Sequence, residues 1–258
     1  MLLLLSFQLQ ANTATGKPSD DLKRTFQYML EASYGQFVTP SNLLYAGAAA
    51  PALWYSFDQD DRLSNLARSK KIPGHIQATG DLGVILNFPL TPIGLYYVGR
   101  STENTHLMQF MMEYSATLYL TLGESALLSL IPIHERPDTS RSDFWETAFR
   151  GKSSFPSGHM IPYAALTFKT FQFYGPWWTL PPLVLTVWAS QQRVLDGKHY
   201  VSDVVGSFFL AAFASEGVRR SAGYEGNHPV YRWIFERSWA LGVTRYQGVP
   251  GVQMATSF

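Results

Sequence analysis

Four apolar stretches of helical length constrain this chain more than any other feature: His106–Ile133, Met160–Tyr174, Trp177–Gln192 and His199–Val218. Each is long enough for three or more helical turns, and Arg219 and Arg220 after the last fit its C-terminal dipole. Pro162 fits the first turn of the second stretch, Gly175 and Pro176 stop it, and Asp196-Gly197 makes a turn before the fourth. Strand patterns are nearly absent before residue 230. The chain is therefore predicted to be all-α, a helical bundle of about six main helices whose short connections make successive helices antiparallel. Upstream, Ser19 or Asp20 is expected to cap a helix carrying Leu22, Phe26, Met29 and Leu30 on one face. Leu43–Phe57 is a further apolar stretch, and Leu82–Gly99 another, broken by Pro89 and Pro92. At the far end, Trp239–Tyr246 and Val252–Phe258 flank a Gly/Pro turn and read as a small C-terminal β-hairpin. The expected organisation is a signal or tail with its linker over 1–18, a helical domain over 19–222 and an extension over 223–258.

Composition narrows the function classes. A net charge of +1 gives no electrostatic footprint for nucleic acid. With 0 cysteines, disulfides, zinc–thiolate sites, iron–sulfur clusters and cysteine nucleophiles are all excluded. Charged residues are 15% of the chain, against about 25% in ordinary soluble domains. Aromatics are also 15%, which points to a large apolar core or a membrane neighbour. A mean hydropathy of −0.05 pulls the other way, as do Glu113 and Glu124 inside the longest helical stretch. Those two acids suit a soluble bundle, or a position facing a bundle interior. The leucine run in Met1–Gln10 suits an export signal or short anchor, although no Lys or Arg precedes it. Asp58–Asp61 lacks the glycine and the terminal Glu of a calcium loop and reads as a solvated helix cap.

The chemistry concentrates in three segments: Arg136-Pro137; Phe155-Pro156-Ser157-Gly158-His159; and Arg193, His199 and Asp203. Antiparallel connectivity alone gathers them. The helix ending near Ile133 delivers Arg136 to one end of the bundle, and His159 opens the next helix leaving that end. Arg193 is delivered back to it, and His199 opens the last helix. Two arginines can fork onto phosphate oxygens. Ser157 and Gly158 sit where backbone N–H groups at a helix start can bind an anion. His199 and Asp203, four apart, share a helix face, so the carboxylate can hold one imidazole nitrogen and leave the other for phosphorus. His159 can protonate a leaving alcohol across the pocket. None of these steps requires a metal or cofactor.

In order and separation, these segments resemble the three signature motifs of the type 2 phosphatidic acid phosphatase superfamily, which also holds class A acid phosphatases and vanadium haloperoxidases. The resemblance spans about Ser129 to Asp203. It implies that His199 is phosphorylated, Asp203 is its partner and His159 is the general acid and base. It further implies that Arg136, Ser157, Gly158 and Arg193 bind phosphate. Two positions depart from the pattern: Ser129 stands where the family has a lysine, and Gln192 where it usually has a serine. Lys152 and Lys198 are the nearby candidates to replace that lost charge. The implied function is hydrolysis of a phosphate monoester or pyrophosphate, the favoured substrate being a phosphorylated lipid. The expected setting is a bacterial cell envelope, membrane-associated, with the site on the extracytoplasmic side. The alternatives are a soluble broad-specificity acid phosphatase acting on small-molecule phosphate esters, a phosphotransferase, a vanadate-dependent peroxidase and a non-catalytic phosphate-binding relative. His75, His106 and His228 read as packing or surface residues, and His134 as a candidate pocket residue beside Arg136. The Trp177-Trp178 pair suits either a core or a membrane interface.

Overall fold

The computed structural model describes residues 16–68, 70–133, 135–137, 153–236, 238–246 and 249–257. The expected export signal, His134, Lys152 and most of the polar loop after Arg136 lie outside the described residues.

The fold is all-α. Among the described residues, eight helices have twelve or more residues: α1 (Pro18–Gly35), α2 (Asn42–Arg68), α3 (Gly74–Leu86), α4 (Leu90–Ser101), α5 (Thr105–Leu128), α6 (Ile161–Tyr174), α7 (Pro176–Leu195) and α8 (Val201–Ala222). The sequence led us to expect about six. The excess arises where Leu82–Gly99 divides at Asn87–Pro89 into two short helices rather than one kinked one. The first helix also starts earlier than expected. Pro18 takes the first helical position after Lys17, and Asp20 and Asp21 occupy the first turn instead of Ser19 or Asp20 capping it.

Helix α8 is the centre of the bundle and packs on α1, α2, α5 and α6. It can do so because its buried faces are built from small residues: Gly206, Ala211, Ala212, Ala214, Ser215 and Gly217. A Cβ on Gly217 would sit 2.8 Å from Gln36 Cβ, so α1 approaches α8 more closely than a larger residue permits. Around this axis Tyr28, Met108, Met112 and Leu120 pack with Val218 on one side, and Met160, Tyr163, Phe168 and Val204 on another.

Buried charge collects toward one end. Glu113, fully enclosed on α5, accepts from Lys169 Nζ on α6 at 3.0 Å and from Gln109 Nε2 at 3.0 Å, and lies 3.5 Å from Arg219 Nη1 on α8. Glu216, also enclosed, accepts from Tyr231 Oη at 2.7 Å and Ser41 Oγ at 2.6 Å. Glu113 thus faces the bundle interior, one of the two placements the sequence leaves open. Beyond α8 the chain forms a short turn at Pro229–Tyr231 and then the strands β1 (Ser238–Tyr246) and β2 (Val249–Ser257). These pair antiparallel, with Tyr246 opposite Val249.

Candidate active site

The opposite end of the bundle holds all three segments. Their backbones are tied together by the stretch from Arg193 to Asp203. Arg193 ends α7, and its carbonyl accepts from Lys198 N at 3.2 Å and His199 N at 3.3 Å. Gly197 makes this tight return possible, with φ of +70°. Arg136 Nη1 reaches the Lys198 carbonyl at 3.5 Å. Ser157 N–H donates to the Asp203 carbonyl at 3.2 Å, and Ser207 Oγ donates to the carbonyls of both Ser157 and Asp203 at 2.8 Å. Gly206 leaves space for the Phe155 ring, which a Cβ would overlap. The structure therefore brings Arg136, Ser157, Gly158, Arg193, His199 and Asp203 together, with His159 in the 3-10 turn Gly158–Met160 that leads into α6.

His199 and Asp203 are 1% and 0% exposed, and His199 Nδ1 lies 3.2 Å from Asp203 Oδ2. The same oxygen accepts from Tyr200 N–H at 2.8 Å, which fixes the carboxylate at the first turn of α8. With Nδ1–H donating to Asp203, Nε2 is the ring nitrogen that carries the lone pair. Arg136 and Arg193 are 6% and 3% exposed, so both guanidinium groups are held inside the protein. Ser157 behaves differently from the expectation of anion binding through its backbone, because its N–H is committed to Asp203. Its Oγ is fully buried and makes no hydrogen bond among the described residues, so the hydroxyl is the group an anion could use. Ser129 is buried at the end of α5 and donates to its own helix, to the Ala126 carbonyl at 2.7 Å. Lys198 lies 3.8 Å from Asp196.

Two contributors escaped the sequence reading. Asp60 is not part of a solvated cap. It is 5% exposed in the middle of α2, and its Oδ1 accepts from Ser202 N–H at 3.0 Å. It thereby caps α8 from another helix, at the turn that carries His199 and Asp203. The signal was its phase: in a helix running on to Arg68, one member of an acidic run must face inward. Helix α3 was read only as part of an apolar stretch, yet its buried face, Ile76, Thr79, Gly80 and Gly83, lies against α7 and the His159 turn. The glycines three apart were the available clue. The other histidines among the described residues have packing roles: His75 meets the Trp188 ring at 4.9 Å, His106 Nδ1 lies 2.7 Å from Tyr224 Oη, and His228 Nδ1 accepts from Val230 N–H at 3.2 Å.

Comparison with known proteins places the segment. No curated protein matches the chain. Among solved structures, a transmembrane PAP2-type phosphatidylglycerolphosphate phosphatase from Bacillus subtilis aligns at 17% identity and a TM-score of 0.45, covering 73% of this chain and 94% of that one. Residues 129–225 match the model of the PAP2 superfamily, and that range contains every motif residue whose geometry is given above. Over residues 129–225, this chain is therefore similar to the PAP2 superfamily.

Proposed function

We propose that the protein is a phosphatase that cleaves a phosphate monoester or pyrophosphate, in the favoured case of a lipid, through a phosphohistidine at His199. The observation that carries this reading is the buried His199–Asp203 pair, its Nδ1 engaged, at the end of the bundle where Arg136 and Arg193 are also buried. His199 Nε2 attacks phosphorus, the P–N bond forms and the P–O bond to the leaving group breaks. His159 gives its proton to the departing oxygen and then takes one from the water that attacks the P–N bond, which returns His199 and releases phosphate. Asp203 stabilises the imidazole as it gains charge. Arg136, Arg193, the Ser157 hydroxyl and the backbone at Gly158 hold the equatorial oxygens as negative charge shifts onto them.

The lipid assignment rests on the surface. Leu22, Phe26, Leu30 and Tyr34 form an exposed stripe along α1, and Trp54, Trp177 and Trp178 are 69–82% exposed on α2 and α7. Apolar surface distributed over several sides of a bundle suits a membrane better than a protein partner, which would cover one side. Among the described residues one helix, Val201–Ala222, is long and apolar enough to cross a bilayer, and 67% of its apolar window is buried inside the bundle. In this reading the protein is membrane-associated in a bacterial envelope, with the site on the extracytoplasmic side. Organisation into a helical phosphatase domain over 19–222 and an extension over 223–258 is part of the same proposal.

Phosphate release from a panel of lipid and soluble phosphate esters, with and without EDTA, tests it. Release is expected to survive EDTA, to favour lipid phosphates and to vanish in His199→Ala. Vanadate binding without release from any substrate would overturn the enzymatic reading and leave a phosphate-binding protein.

A further inference from the structure

The His159 turn has a neighbour outside the matched segment. Helix α3 lies on it, and the contact is backbone against backbone. A Cβ on Gly83 would come 2.6 Å from the His159 carbonyl oxygen and 3.2 Å from the Tyr163 ring. No atom can occupy that position unless α3 or the turn moves. The same face of α3 is fixed on both sides of this point. Tyr163 Oη, on α6, donates to the Thr79 carbonyl at 2.6 Å, and Gly80 admits the Gln192 side chain, which reaches Gln77 at 3.5 Å. His75 meets the Trp188 ring edge-on at its start. The residue beneath the contact is half-buried His159, while Met160 and Ile161, next in the chain, are 1% and 0% exposed. The turn therefore has little room to absorb a displacement by shifting deeper into the core.

We propose that α3 sets the position of His159, and that Gly83 is a positioning residue for proton transfer to the leaving group. The proposal rests on the phosphohistidine reading and deepens it. His159 is held from two directions, by the α8 side through Ser157 and by α3 through Gly83. Displacement at the α3 contact moves the proton donor, while the His199–Asp203 pair is set by the first turn of α8 and its tie to Tyr200. The consequence is selective. A substrate whose leaving group departs readily as an anion needs little help from a general acid, whereas an alkyl phosphate needs it most.

The test compares kcat/KM of the full chain for p-nitrophenyl phosphate and for a simple alkyl phosphate, in wild type, Gly83→Ala, Tyr163→Phe and Gly47→Ala. Because kcat/KM reports steps through phosphoryl transfer, the shared dephosphorylation step does not mask the effect. Gly83→Ala is expected to lose about 10- to 100-fold on the alkyl ester, part of the 10²–10⁴ that a positioned general acid supplies, and less than about 3-fold on the activated ester. Tyr163→Phe, which releases α3 from α6 without adding an atom, is expected to show the same selectivity at smaller size, and remains informative where Gly83→Ala does not fold. Gly47→Ala, in open space on α2, is expected to match wild type. Equal losses on the two esters in both variants, or no loss in either, would overturn the proposal. His199→Ala keeps the two readings apart: retained release in that variant would sink the phosphohistidine mechanism itself, whatever Gly83→Ala does.

Discussion

The two ends of α8 use charge in opposite ways. At its C-terminal end, Glu113, Lys169 and Arg219 come from three different helices and satisfy one another through side-chain contacts of 3.0 to 3.5 Å. At its N-terminal end, about 30 Å away for a helix of this length, the ties run mainly to backbone. Asp203 accepts from Tyr200, Asp60 accepts from Ser202, and Ser157 donates to Asp203. Backbone ties fix the chain but leave the buried Ser157 hydroxyl without a hydrogen bond among the described residues. The comparison teaches that burial of charge alone does not mark a site. The far end encloses as many charged side chains as the site, yet there they pair with one another across helices and work as a structural clamp.

That contrast can be broken by mutation. The largest effect is expected from His199→Ala, which should reduce turnover by more than about 1,000-fold because it removes the nucleophile, with an unchanged melting curve. Asp203→Asn should follow, at about 100- to 10,000-fold in kcat, since the amide can still accept from Tyr200 but no longer holds the imidazole tautomer or its charge. At the other end the readouts should exchange. Glu113→Gln is expected to lower stability by about 3–5 kcal/mol, because Lys169 is left buried without its carboxylate, while activity per folded molecule stays near wild type. Replacing both partners, Glu113→Leu with Lys169→Met, should recover much of that loss in denaturant titrations. The smallest effect belongs to Asp60→Ala, at about 1 kcal/mol and a several-fold loss of kcat, with Asp60→Asn recovering most of both. A Glu113→Gln variant that folds normally but loses turnover would show that the far end takes part in the chemistry.

The fold class and the gathering of the motif residues were legible in the sequence because both follow from helical period and short connections. His199 and Asp203 declare their contact by a four-residue spacing on one helix. What remained hidden depends on contacts between elements distant in sequence. Asp60 looks like one of several surface acids until the register of α2 against α8 is known. Gly83 looks like a helix-weakening residue until the His159 carbonyl is found beside it. The backbone hydrogen bond of Ser157 was equally invisible, and it changes which atom of that residue can meet an anion. Helix number was underestimated because a proline near the middle of an apolar stretch does not say whether the helix kinks or ends.

The most direct test of the central claim is rapid acid-free quenching during turnover, followed by mass spectrometry of the peptide containing His199. The account predicts a phosphoryl group on His199 that is stable in alkali, lost in acid, and absent from His199→Ala. Steady phosphate release with no phosphorylated histidine, or with the label on another residue, would contradict it.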